Sequence, residues 1–317
     1  MIKIKIKFTD FWYGFSPNNN YFFNLLSKYF DIEFSDEPDF IIYSCYGKEY
    51  LQYKCIRIFY SAENLRPDFS GCDYAISFDY NNDKRHFRLP LYALYIDQNN
   101  SLSKLLGTRT REEAMEIWRS KTKFCCMIVS NPKSKKRLNF FNELSKYKKV
   151  DSGGNVLNNV GGPVKDKLEF IKDYRFVISF ENSSYPGYST EKILEPFISD
   201  CIPLYWGNPL IQNDFNADCF LSLSTNGSVR KFIQTIIEVD NNEELAVKMM
   251  MESKFKNAVI PTDIEKGRLL NFFNEIFLSK DFYQPVGNSY KKYIHVLNLK
   301  KKYYLSRIKE KLDMNFR

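Results

Sequence analysis

The chain has 317 residues, of which 44% are apolar, 17% aromatic and 26% charged, enough to bury a real core and to exclude a disordered chain. No run approaches the roughly 18 consecutive apolar residues that a membrane-spanning helix needs. The formal charge is +8, but residues 291–317 hold nine basic against two acidic side chains, and the other 290 residues are nearly neutral at +1.

The chain opens on IKIKIKF (2–8), whose period-two alternation predicts a strand and not a signal peptide. A helical pattern, YFFNLLSKYF (21–30), comes next, and then strand patterns in DIEF, DFIIYS (39–44), CIRIFYSAEN (55–64) and DYAISFD (73–79). Residues 97–118 contain no strand signal and read as a crossover. The second half restarts with FCCMIVS (124–130), a helix over Lys133–Tyr147, RFVISFE (175–181), a helix over 190–199 and IPLYW (202–206). Helical patterns then dominate at 228–239, 243–255 and 263–277. Alternating strands and helices in two halves predict an α/β protein of two βα lobes facing a cleft.

Seven cysteines without a CxxC pair read as reduced, mostly buried thiols of a cytoplasmic protein. Two histidines, His86 and His295, are too few and too far apart for a His-based zinc site. Sequons begin at Asn99, Asn182 and Asn226, and the second falls inside the densest motif, which argues against a secretory route. The tail reads as a basic amphipathic helix with Leu297, Tyr304, Ile308, Lys311 and Leu312 at near-helical spacing. It docks on the body by that stripe, contacts an anionic membrane as well, or serves another partner.

The densest motif runs from Phe180 to Pro209, FENSSYPGYSTEKILEPFISDCIPLYWGNP. A buried strand ends at Glu181-Asn182, and a loop leads to a helix capped by Ser189 or Thr190 with Glu191 and Lys192 in its first turn. That helix start suits a phosphate, through its free N–H groups, its dipole and the Lys192 charge. From the residues alone the commoner reading is an ordinary capped helix with a first-turn ion pair. Pro196 lies inside the helix and predicts a kink or an early end.

The run FENSSYPGYSTEKI with IPLYWG resembles the hallmark motif of the α-1,3-fucosyltransferases, in particular the bacterial branch. Tyr60-Ser61-Ala62-Glu63-Asn64, Asp73–Asp79, Arg88-Leu89-Pro90-Leu91-Tyr92, Ser130-Asn131-Pro132, Arg137 and Gly153-Gly154 also keep the family's order. The resemblance implies an inverting GT-B enzyme of glycosyltransferase family 10. It would have two Rossmann-like lobes, an acceptor domain at 1–118, a GDP-fucose domain at 119–280, and C-terminal helices (281–317) crossing back. It implies transfer of L-fucose from GDP-fucose to the 3-hydroxyl of N-acetylglucosamine in a Galβ1-4GlcNAc-type glycoconjugate. A different acceptor position or GDP-sugar, or a glycan-binding protein without activity, are the competing expectations.

Carried over by position, the resemblance makes Glu63 the general base. From the residues alone Glu63 is a strand-end carboxylate that either faces the cleft or pairs with Arg66. Arg137 and Lys192 would bear the diphosphate, Tyr188 would donate to a phosphate oxygen, Glu191 would hold sugar hydroxyls and Asn182 would shape the nucleotide pocket. Lys133, Lys135 and Lys136 either raise the local potential or form a solvated face. No metal or other cofactor is expected to be required, although modest stimulation by a divalent cation is compatible with the sequence. Nucleic acid is not an expected partner of the neutral body.

Overall fold

The computed structural model describes the backbone of residues 1–279 and 283–315, with side chains through residue 308. The chain divides into two compact units. The first comprises Met1–Ser77, Asn81–Arg88 and the chain from Lys266 on; the second comprises Phe78–Tyr80 and Leu89–Glu265.

In the first unit, β1 (Ile2–Thr9), α1 (Tyr21–Leu26), β2 (Phe30–Phe34), β3 (Phe40–Tyr43), β4 (Ile56–Ser61), β5 (Tyr74–Ser77) and β6 (His86–Arg88) occur in that order. The strands form one parallel sheet in the order β2-β1-β3-β4-β5-β6. Alternation along β1 buries Ile4, Ile6 and Phe8, as the sequence pattern predicts. Strand β3 is buried throughout, as expected for a parallel strand covered on both faces. The predicted helix over 21–30 ends at Leu26, because Phe30 pairs with Ile2 in the sheet.

The second unit begins with α2 (Leu91–Gln98), α3 (Leu102–Leu106) and α4 (Arg111–Ser120). It continues through β7 (Lys123–Met127), α5 (Lys135–Ser145), β8 (Val150–Ser152), α6 (Lys167–Ile171), β9 (Tyr174–Phe180), α7 (Glu191–Ile198) and β10 (Ile202–Trp206). The strand β11 (Leu221–Ser222) and helices α8 (Leu223–Asn226), α9 (Val229–Asn241) and α10 (Glu243–Met251) complete it. Its parallel sheet has the order β11-β10-β9-β7-β8. One face carries Met127, Phe176, Ile178 and Leu204 against Phe140 of α5 and Phe232 and Ile236 of α9. A second cluster gathers Cys126, Ile171, Tyr174, Val177 and Cys201. All seven cysteines are free thiols, five of them buried.

The domain boundaries expected at 118 and 280 fall instead near 88 and 265. Helix α4 belongs to the second unit, because Ala114 and Trp118 enter its core and Arg119 pairs with Glu243 at 2.7 Å. The chain then returns to the first unit with α11 (Lys266–Leu278) and α12 (Lys291–Asn315). Phe277 of α11 packs on Phe30 and Phe40, with ring centroids 5.1 and 4.7 Å away, and Phe273 packs on Phe22. The chain thus crosses back to the first unit already at Lys266, ahead of the expected 281.

Helix α12 docks differently from expectation. Leu297, Tyr304 and Ile308 stay exposed, while His295, on another side of the helix, is buried. The His295 Nε2 lies 2.7 Å from the Tyr50 hydroxyl, and Nδ1 lies 3.3 Å from both Ser70 Oγ and Asp68 Oδ2. The side chains of Lys309, Lys311 and Leu312, and residues 316–317 of the basic tail, lie outside the described residues. No described helix is long and apolar enough to cross a membrane.

Burial lowers the His295 pKa below 6.5, with Asp68 acting in the opposite direction. A histidine with a depressed folded pKa stabilises its docked state above the unfolded value, and that contribution is lost as pH falls through the folded one. Protease cleavage near Lys291 should therefore accelerate on acidification below pH 6.5, and His295→Gln should flatten that dependence.

Candidate active site

Each unit carries one group of the predicted residues. In the second unit they gather at the carboxyl end of β9. The strand is buried along most of its length and is followed directly by Glu181, whose amide bonds the Trp206 carbonyl of β10 at 2.8 Å. The Glu181 side chain is fully buried. Its two oxygens accept the Thr190 amide at 2.8 Å and the Thr190 hydroxyl at 2.7 Å, and Lys192 Nζ stands 3.6 Å away.

Thr190, not Ser189, is the N-cap of α7, and its hydroxyl accepts from the Lys192 amide. The Lys192 ammonium also donates to Thr190 Oγ1 at 3.1 Å and to Glu191 Oε1 at 3.0 Å. Helix α7 continues through Pro196 to Ile198, so the proline neither ends the helix early nor removes its first turn.

Arg137, on α5, is buried and is not the solvated helix arginine that its lysine-rich neighbourhood suggests. Its guanidinium donates from Nε and Nη2 to the Phe180 carbonyl, at 3.0 and 2.6 Å, and from Nη2 to Asn182 Oδ1 at 3.0 Å. Its Nη1 is buried and makes no hydrogen bond among the described residues. Lys135 and Lys136 are exposed beside it, and the Lys136 ammonium lies 4.7 Å from the Trp206 ring. Tyr188 is buried against Phe78, with ring centroids 5.1 Å apart. The site thus balances two acids, Glu181 and Glu191, with two bases, Arg137 and Lys192.

Burial raises the Glu181 pKa, and Lys192 offsets part of that effect. Burial works against the charge on Lys192, yet Glu181 and then Glu191 hold its pKa above the ordinary value. Burial lowers the pKa of Arg137, with Glu181 opposing. What results is a charged helix terminus with a buried guanidinium nitrogen left over, which is the chemistry of an anion site.

Three residues that hold this arrangement together carried no predicted role. Glu181 holds the helix cap in place, and Gly207 makes room for it: a Cβ there would lie 2.3 Å from Glu181 Cγ. Asn208, also buried, accepts from the Gly187 and Leu210 amides and donates to Ser189. The sequence signals were a carboxylate directly after an apolar strand and a glycine directly after the next one.

In the first unit, Glu63 lies two residues beyond β4 and is exposed. Its amide bonds Ser61 Oγ at 3.1 Å, and its Oε1 accepts the Tyr46 hydroxyl at 3.1 Å. Arg66 donates to Asn64 Oδ1 at 2.8 Å. Burial, and then the Glu63 charge, push the Tyr46 phenol pKa up, so it remains a donor to that carboxylate.

With this geometry in hand, comparison with known proteins gives the lineage. Residues 6–95 match the alpha-(1,3)-fucosyltransferase FucT N-terminal domain family, and residues 118–256 match the glycosyltransferase family 10 (fucosyltransferase) C-terminal family. The chain belongs to the glycosyltransferase family 10 fucosyltransferases. It is 30% identical over 260 residues to alpha-(1,3)-fucosyltransferase FucT of Helicobacter pylori, covering 72% of this chain and 54% of that one. It therefore spans about half the length, or less, of the curated relatives it matches. A crystal structure of an alpha1,3-fucosyltransferase with GDP-fucose matches with a TM-score of 0.72 and 25% identity, over 87% of this chain and 91% of that one. Another alpha1,3-fucosyltransferase crystal structure reaches a TM-score of 0.77 at 23% identity, over 91% of this chain and 92% of that one. The two-lobed GT-B architecture expected from the sequence is borne out.

Removing the buried Glu181 carboxylate leaves the Thr190 amide and hydroxyl without their acceptor and Lys192 without one of its ion-pair partners. Glu181→Ala should cost about 3–5 kcal/mol in a urea titration, the scale of breaking a buried charged network. Glu181→Gln should cost less, because it retains the side-chain volume.

Proposed function

We propose that the chain is an inverting fucosyltransferase that moves L-fucose from GDP-fucose to the 3-hydroxyl of N-acetylglucosamine in Galβ1-4GlcNAc-type acceptors. The observation that carries the donor side is the unsatisfied Arg137 nitrogen at the exit of β9, the strand that leads to Lys192 and the first turn of α7, within the matched family region. The name of the Helicobacter pylori relative and the GDP-fucose of the matched crystal structure agree with it.

In this reading Arg137, Lys192 and the α7 amides hold the diphosphate. They stabilise the charge that grows on it as the glycosidic bond breaks. Tyr188 donates to a phosphate oxygen, Glu191 takes ribose or fucose hydroxyls, and Asn182 orients Arg137 and shapes the nucleotide pocket. Glu63 removes the proton from the acceptor hydroxyl as its oxygen attacks C1 opposite the departing GDP, so configuration inverts. The Tyr46 hydrogen bond holds that carboxylate in one orientation.

Basic residues and a helix terminus supply the charge that a divalent ion otherwise provides, so the reaction proceeds without one. The exposed Tyr293, Leu297 and Tyr304 among lysines of α12 give the chain a peripheral contact with anionic membranes.

GDP release from GDP-fucose, measured with N-acetyllactosamine, with lacto-N-biose and without acceptor, in EDTA, tests the reading. Turnover is expected with N-acetyllactosamine only. Glu63→Gln should lower kcat by about two to four orders of magnitude while leaving GDP affinity intact. Lys192→Ala should weaken GDP binding and lower kcat together. Near-normal turnover by Glu63→Gln refutes the base, and silence with both disaccharides refutes the acceptor.

A further inference from the structure

The first unit exposes an aromatic group that its own core does not need. Trp12 and Tyr46 are 42% and 51% exposed, with ring centroids 6.4 Å apart and planes at 80°. Behind Trp12, Phe15 lies edge-on at 5.2 Å and Phe11 at 5.6 Å, and Phe11 and Phe15 stack on each other at 3.9 Å. The indole is thus propped from within.

The two loops that carry these rings are tied together by one residue. Asp10, at φ 59°, comes directly after β1. Its carbonyl accepts the Tyr46 amide at 3.0 Å, and its carboxylate accepts the amides of Glu49 and Tyr50 at 2.9 and 2.8 Å. Gly47 must lack a side chain there, since a Cβ would lie 2.1 Å from Asp10 Oδ1. Such a knit sets the Trp12 loop against the Tyr46 loop before any ligand arrives, which lowers the entropic cost of binding.

Tyr46 is also the residue that hydrogen-bonds Glu63, so the aromatic corner and the carboxylate form one surface. Resting on the fucosyltransferase reading above, we propose that Trp12 and Tyr46 form a stacking platform for a hexopyranose ring of the acceptor. The C–H face of that ring lies on the indole, and one of its hydroxyls is left at Glu63. A pyranose presents an apolar C–H face and a polar rim, which match an aromatic face bordered by a phenol and a carboxylate. A bare lipid surface would not call for the carboxylate.

The test uses the full chain with N-acetyllactosamine. Trp12→Ala should raise the acceptor KM at least about tenfold, the scale of losing one stacking contact, with GDP affinity held within about twofold as the control for folding. Trp12→Phe should recover most of the loss. Only three tryptophans are present, so acceptor titration in the presence of GDP should change the fluorescence of the parent and not that of Trp12→Phe. Unchanged acceptor KM in Trp12→Ala, in a chain that transfers fucose, overturns the platform and spares the function. Loss of binding to anionic vesicles without a KM change also overturns it, in favour of a lipid contact. No transfer by the parent to any galactosyl-N-acetylglucosamine overturns both.

Discussion

The candidate donor site depends on a buried carboxylate at the end of a strand. Glu181 takes both donors of Thr190 and faces Lys192, so one side chain ties the exit of β9 to the start of α7. An unpaired charge at that depth would be expensive, and the surrounding donors make it tolerable. The consequence is a helix terminus held in a set position with its ammonium oriented. Arg137 is drawn to the same strand end by the Phe180 carbonyl, and Asn208 secures the intervening loop from the β10 side. Catalytic electrostatics work through groups that need not rearrange, and this network supplies that rigidity.

The first unit solves a comparable problem with Asp10. A single acidic residue just past β1 collects three amides from the loop after β3, and that loop carries Tyr46 to Glu63. Both units therefore use a strand-end carboxylate to organise a loop, and in both the acid facing the proposed substrate is a different one. This division leaves Glu63 exposed and Glu191 partly accessible while Glu181 and Asp10 do the holding.

Most of the fold was legible because its signals are local. The alternation of IKIKIKF, the apolar block RFVISF and the stripe Phe140, Phe141 and Leu144 each identify an element from within a few residues. The short strands β6, β8 and β11 were not legible, since two or three residues carry no period. Helix α7 was placed correctly despite Pro196, because capping chemistry at Thr190 marks its start whatever residues come later in the helix. The compact units change over at positions other than the expected domain limits, for a different reason. Trp118 and Phe277 are apolar helix residues in either unit, and nothing local says which core receives them.

The sequence by itself determined the family and the βα order, and it offered Glu63, Arg137, Glu191 and Lys192 as candidates, because all of these reside in short motifs. Tertiary structure alone decided that Arg137 is buried with a nitrogen to spare, that Glu181 organises the site, and that α12 docks through His295 and not through Leu297, Tyr304 and Ile308. Each of those facts is a contact between residues far apart in the chain. Burial, and with it the charge balance of a site, is a property of what surrounds a side chain and is not written in the residue itself.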